Sequence, residues 1–146
     1  MLPKKPSLLS FLIVAVAFMA MCEYERLGPN KDQQKSREIE QLWAEFPLYP
    51  GMVATSSASS SAGRKAYKGT SFRSSAPYED VKGFYIEKLG AQAWTFKNEK
   101  RLSKWGRDRG GRELNWRKGA YELSIEYAGN DNRDWDYGVS ISWFEN

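Results

Sequence analysis

The sequence predicts an α+β fold, an antiparallel sheet of about four to six strands with one helix packed on its apolar face and an amphipathic helix before it. Three observations carry this expectation. Apolar and polar residues alternate from Leu114 to Tyr127 and again from Val139 to Trp143, the period of a half-buried strand. Val81, Phe84, Tyr85 and Leu89 recur instead at helical spacing, as do Ile39, Leu42, Trp43 and Phe46. The chain is 146 residues with 41% hydrophobic and 14% aromatic residues, enough apolar material for the core of one domain.

The C-terminal strands constrain one another. Lys118-Gly119 suits a two-residue hairpin turn, which pairs Arg117 with Ala120, Trp116 with Tyr121 and Leu114 with Leu123. Leu114 and Trp116 then share a face with Tyr121, Leu123, Ile125 and Tyr127. Glu113, Asn115, Glu122, Ser124, Glu126, Ser140 and Ser142 fall on the other face, so one face is expected to be buried and the other wet.

The helix before them has its own punctuation. Ser75 suits the N-cap, Pro77 the first turn, and Glu79 and Asp80 the positive end of the helix dipole. Lys88 lies in the last turn and Gly90 supplies the stop. Phe84 and Ile125 are expected to be buried against each other's elements. Trp94 and Phe96 then alternate as a short strand. Asp80, Val81, Phe84, Tyr85 and Leu89, followed by Trp94, resemble a segment of a loose group of small exported bacterial proteins. In that group a Gly precedes the Trp, where this chain has Ala93. The resemblance covers residues 80–94 and implies an envelope protein of unknown activity, with no site residues attached.

Upstream, residues 31–46 form the amphipathic helix, with Asn30 and Gln33 in a capping-box arrangement. Pro47 and Tyr49-Pro50-Gly51 end it, and a single α+β domain occupies residues 47–146. Met52 to Ser61 is rich in Ser and Ala. It reads either as a low-complexity linker or, turning at Ala62-Gly63, as the first arm of a hairpin returning through Tyr67 to Phe72.

Residues 1–22 read as an address. Lys4 and Lys5 precede an apolar run of about 15 residues, Leu8 to Cys22, the length of a signal-peptide core. As a helix it spans roughly 22 Å, short of the hydrocarbon thickness of a bilayer. Cys22 stands at the boundary with a polar tether, residues 23–30, where bacterial lipoprotein signals place their acylated Cys, although Met21 departs from the small residue usual there. Lipidation at Cys22, ordinary cleavage and an uncleaved anchor remain alternatives. Each makes the protein exported, and either membrane-tethered or secreted.

The residue inventory excludes whole chemistries. There is no His and only one Cys, so imidazole catalysis, Cys-based zinc sites and intrachain disulfides are impossible. No cofactor or metal is expected. Glu122 and Glu126 on one strand stand about 13 Å apart, too far for a glycosidase pair. Asn130, Asn132, Asp134 and Asp136 alternate like calcium ligands, but Trp135 occupies the place of the required Gly. No Ser-x-x-Lys, Gly-x-Ser-x-Gly or phosphate-loop stretch occurs.

One stretch stands out by charge. Lys97, Lys100, Arg101, Lys104, Arg107, Arg109 and Arg112 crowd around Trp105, and residues 97–112 read as a solvated loop able to touch anionic lipid or polymer. Arg109-Gly110-Gly111-Arg112 is faintly similar to RNA-binding segments, yet export and a nearly balanced charge argue against nucleic acid. The expected function is a non-catalytic, membrane-tethered binding or accessory module of the envelope, its partner an envelope protein or anionic polymer. The alternative is a secreted carbohydrate- or polymer-binding domain whose platform takes at least two of Trp43, Trp105 and Trp135. A small hydrolase is a more distant third.

Overall fold

The computed structural model describes residues 31–61, 65–104, 107–130 and 134–144. Signal, tether, Cys22, Asn30, Ala62-Gly63, Trp105 and Asn132 lie outside the described residues. The elements run α1 (Lys31–Ala44), β1 (Val53–Ser61), β2 (Lys65–Arg73), α2 (Tyr78–Ala91), β3 (Thr95–Lys104), β4 (Arg107–Lys118), β5 (Tyr121–Tyr127) and β6 (Tyr137–Phe144). The strands form one six-stranded antiparallel sheet in the order β1-β2-β6-β5-β4-β3. The fold is therefore α+β, as the alternations predict.

The order explains where α2 must lie. β2 pairs with β6, while the next strand in sequence, β3, is at the far edge. The chain crosses β6, β5 and β4 to reach it, and α2 makes that crossing over the apolar face. Val81, Tyr85 and Leu89 of α2 join Trp116, Leu123, Ile125, Val139, Ile141 and Trp143 of the sheet in one buried cluster. Burying each such side chain stabilises by about 1.5–3 kcal/mol. Phe84 is only half-buried at the rim, edge-on to Tyr49 and Tyr85, so the inward position falls to Tyr85. The Tyr85 hydroxyl, which burial pushes up to about 12, accepts from the Tyr49 backbone N–H at 3.2 Å.

The α1 stripe docks on the same face. Ile39 is buried, and Leu42, Trp43 and Phe46 pack half-buried beside it, with Phe46 stacked on Tyr85 at 5.3 Å. Polar clamps add to this: Lys35 donates to the Tyr121 hydroxyl at 3.0 Å, and Lys68 of β2 pairs with Glu40. Regular helix stops at Ala44, two residues short of the expected end, because the chain tightens at Phe46, whose N–H bonds Trp43 O at 3.1 Å. Pro50-Gly51 then turns the chain, with Met52 N–H bonding Tyr49 O at 3.2 Å.

Three local expectations are corrected. The β4–β5 turn is Gly119-Ala120, not Lys118-Gly119: Lys118 pairs with Tyr121, Trp116 with Leu123 and Leu114 with Ile125. Gly119 alone takes the positive φ, +58°, at the first turn position, the sign pattern of a type II′ hairpin. The N-cap of α2 is Pro77, whose backbone is extended, with no side-chain cap from Ser75. The helix ends not at Gly90 but one residue later, at Ala91. Trp94 N–H reaches back to Leu89 O and Ala93 N–H to Gly90 O, a Schellman closure with Ala93 in the left-handed position at φ +63°. A glycine would take this backbone without strain.

The largest correction concerns residues 97–104 and 107–112, which form strands rather than a loop: β3 and β4 pair from Thr95↔Arg117 to Lys104↔Arg107. As an edge strand, β3 is exposed through most of its length and has no buried face to impose apolar alternation on its sequence. Met52–Ser61, by contrast, is the hairpin arm and not a linker, since β1 pairs with β2 from Val53↔Arg73 to Ser61↔Ala66.

Candidate functional site

Both helices cover the sheet face that carries Trp116, Ile125 and Ile141. Among the described residues the other face is open, and the register shows what paves it. One row across the strands runs Ser56, Ser71, Gly138, Glu126, Glu113, Lys100; the next runs Ala58, Gly69, Ser140, Ser124, Asn115, Asn98. A third runs Ser60, Tyr67, Ser142, Glu122, Arg117, Thr95. In these three rows the β1-β2-β6 half is uncharged and, apart from Tyr67, made of small side chains. The β5-β4-β3 half carries the acids, amides and bases.

Two aromatic rings lie on the neutral half, each over a glycine. A Cβ added at Gly69 would stand 2.7 Å from Tyr67 Cζ, so the Tyr67 ring lies across that glycine. A Cβ at Gly138 would meet the Trp135 ring at 3.7 Å. A ring over a strand glycine replaces the missing side-chain cover. Tyr67 stays 39% exposed. A recess of about 170 Å³ opens between these rings, lined also by Ser71, Ser124, Glu126 and Ser140. A second recess, about 300 Å³, lies on the polar half among Lys97, Asn98, Lys100, Asn115, Arg117 and Glu122.

The expected anionic-surface patch is divided by the strands. Lys100 faces the open side, where its Nζ is 3.7 Å from Glu113, while Arg101 and Arg112 stand opposite one another on the helix side. Arg112 lies 3.5 Å from Asp108 and 3.9 Å from Glu99, and Arg101 4.0 Å from Asp108. Lys104 and Arg107 pair backbone to backbone at the hairpin tip, Arg109 follows in β4, and Trp105 lies outside the described residues. Glu99 is a hub, accepting from Lys82 at 2.6 Å and Tyr78 at 2.9 Å, and the Lys82 hydrogen bond holds its carboxyl below the usual range. Acids are therefore threaded among the bases.

The Arg109-Gly110-Gly111-Arg112 run has a structural account. Gly110 takes φ +81°, and Gly129 crosses it so closely that a Cβ there would sit 2.5 Å from Arg109 O and Gly111 N. Asn130 N–H bonds Arg109 O at 2.7 Å and fastens the crossing. Asp136 of the calcium-like run accepts instead from Ser74 N–H at 2.9 Å. Among the described residues no group of three His, Cys, Asp or Glu could hold a metal ion.

Reading acids along one strand missed a pair across strands: Glu113 and Glu126 are direct partners on the open face. Glu113 accepts from Asn115 at 2.8 Å besides meeting Lys100, which ties it into a polar network. Trp43 and Trp135 lie on opposite faces, since Trp43 packs into the covered core while Trp135 lies over Gly138. The aromatic partner of Trp135 is Tyr67, which sequence reasoning passed over. The signal was present as Tyr67-x-Gly69 and Trp135-x-x-Gly138, aromatic residues each followed by a glycine. Among the described residues no helix is long and apolar enough to cross a membrane. No protein-family model, curated protein or solved structure matches the chain.

Proposed function

We propose that the protein is a non-catalytic, exported module, held at the membrane by its N-terminal segment, that binds a hydroxyl-rich polymer of the envelope on its open sheet face. The observation that carries this reading is the recess between Tyr67 and Trp135, floored by glycine and serine and edged by Glu126. Aromatic rings offer an apolar face to the C–H side of a sugar ring, and nearby Ser, Asn and Glu side chains exchange hydrogen bonds with its hydroxyls. Strands paved mostly with small side chains let a long chain lie across them without collision. The threaded acids around Lys100, Arg101 and Arg112 disfavour the basic hairpin as the main contact.

Affinity electrophoresis of the full chain through gels carrying neutral glucans, chitin-type glycans or peptidoglycan fragments tests the reading. At least one polymer should retard the wild type, and Tyr67→Ala and Trp135→Ala should each weaken retardation about tenfold or more. Retardation by none of them, or by variants and wild type alike, contradicts it. Glu113 and Glu126 support a second reading as a small hydrolase. Release of reducing ends from the retarding polymer, lost in Glu126→Gln, would favour that reading instead.

A further inference from the structure

We infer that β1 is a strand-addition edge whose occupant is β1 of a second copy of this chain, giving a two-fold dimer with one continuous twelve-stranded sheet. Every one of the nine residues of β1 is exposed, and its sequence, VATSSASSS, carries no charge and no proline. Exposed edges usually carry charges, bulges or cover that stop another strand from pairing with them. The opposite edge has such protection: β3 carries Lys97, Glu99, Lys100, Arg101 and Lys104 and is interrupted at two places in its register. β1 has one irregularity, near Thr55, after which pairing with β2 is regular from Ser56 to Ser61.

A second copy fits better than a charged or bulky strand. Antiparallel pairing of β1 with itself sets Ser and Ala against Ser and Ala, with no like charges opposed. The two-fold arrangement also closes: it leaves only the two charged β3 edges outward, so growth stops at the dimer. Apolar surface adjoins the edge. Leu48 is 49% and Val53 64% exposed, and a groove of about 270 Å³ beside β1 is lined by Trp43, Phe46, Leu48, Ala54 and Phe72. Main-chain bonds along β1 supply register, and this groove supplies apolar burial. A two-fold axis through the edge also keeps both helix pairs on one side, which joins the two open faces. The inference does not depend on what those faces bind.

Sedimentation velocity of the full chain in detergent micelles, over a range of concentrations, reads the dimer. Wild type should be dimeric. In a two-fold register centred within Ser57–Ser59, the pair Ser57→Lys with Ser59→Lys sets ammonium groups against each other, and so should give monomers that keep the wild-type circular dichroism spectrum and unfold cooperatively, at a melting temperature lowered by the lost dimer contact and the lost Ser57–Thr70 hydrogen bond. Ser57→Glu with Ser59→Glu should do likewise, and an equimolar mixture of the two double variants should restore the dimer. Leu48→Ser, off the sheet, should weaken dimerisation about tenfold. A monomeric wild type, a Lys variant that stays dimeric, or a mixture that fails to associate overturns the inference.

Discussion

β6 contrasts the two faces of the sheet within one strand. Tyr137, Val139, Ile141 and Trp143 point into the covered face and are each at most 4% exposed, while Gly138, Ser140 and Ser142 alternate with them on the open face. The covered face gains from size and apolarity, so every position there is filled. The open face gains little stability from its residues, and small side chains there leave room for a ligand. Under the proposed function, stability and binding fall on opposite sides of the same strands. Substitutions can separate the two.

The largest effect is expected on the covered side. Trp116→Ala should cost about 3–5 kcal/mol in urea titration, because Trp116 is 1% exposed and meets Phe96 edge-on. Glu122→Ala, exposed on the other face, should stay within about 0.5 kcal/mol. A small loss at Trp116 would mean that the covered face is not the core. Next in size is Gly129→Ala, expected to cost about 2–4 kcal/mol through the left-handed backbone and the collision with the β4 chain. Thermal melts check it, and near-neutrality would show that the crossing at Gly110 is loose.

The covered face also has a signature in alkali. Burial raises the Tyr85 hydroxyl from 10.0 to about 12, and burial likewise raises Tyr78 and Tyr137. A folded value above the unfolded one means the unfolded chain ionises first. Stability is therefore full below pH 10 and declines as pH rises through the folded value, by about 2–3 kcal/mol for Tyr85 alone. Denaturant midpoints measured between pH 9 and 12 read the decline, and Tyr85→Phe should make it shallower. A smaller effect of opposite sign is expected at Ala93→Gly. Relieving φ +63° in the Schellman closure should stabilise by about 1 kcal/mol, visible as a raised melting temperature.

What the sequence shows follows the same division. Alternation alone puts Leu114, Trp116, Leu123, Ile125, Val139 and Ile141 on one face, as found, but it sets the β4–β5 turn one residue early and the pairing two residues off. A two-residue slip keeps every side chain on its face, so facial alternation fixes parity and leaves register open. The edges were opaque for a different reason. Neither Val53–Ser61 nor Thr95–Lys104 has a buried face, so neither carries an apolar period. The candidate site was half legible. Trp135 was singled out, but Tyr67 joins it only because β2 pairs with β6 across a long sequence interval. The Gly129 crossing over Gly110 is likewise invisible until both chain segments are in place.

The central claim is that the open face binds and does not stabilise, and Ser140→Arg tests both halves together. Ser140 lines the Tyr67–Trp135 recess, and an arginine there fills it without touching the covered core. Calorimetric titration with the polymer that retards the wild type, alongside a urea midpoint, reads the two quantities. Binding should weaken about tenfold or more while stability changes by less than about 1 kcal/mol. Unchanged binding at unchanged stability would contradict it.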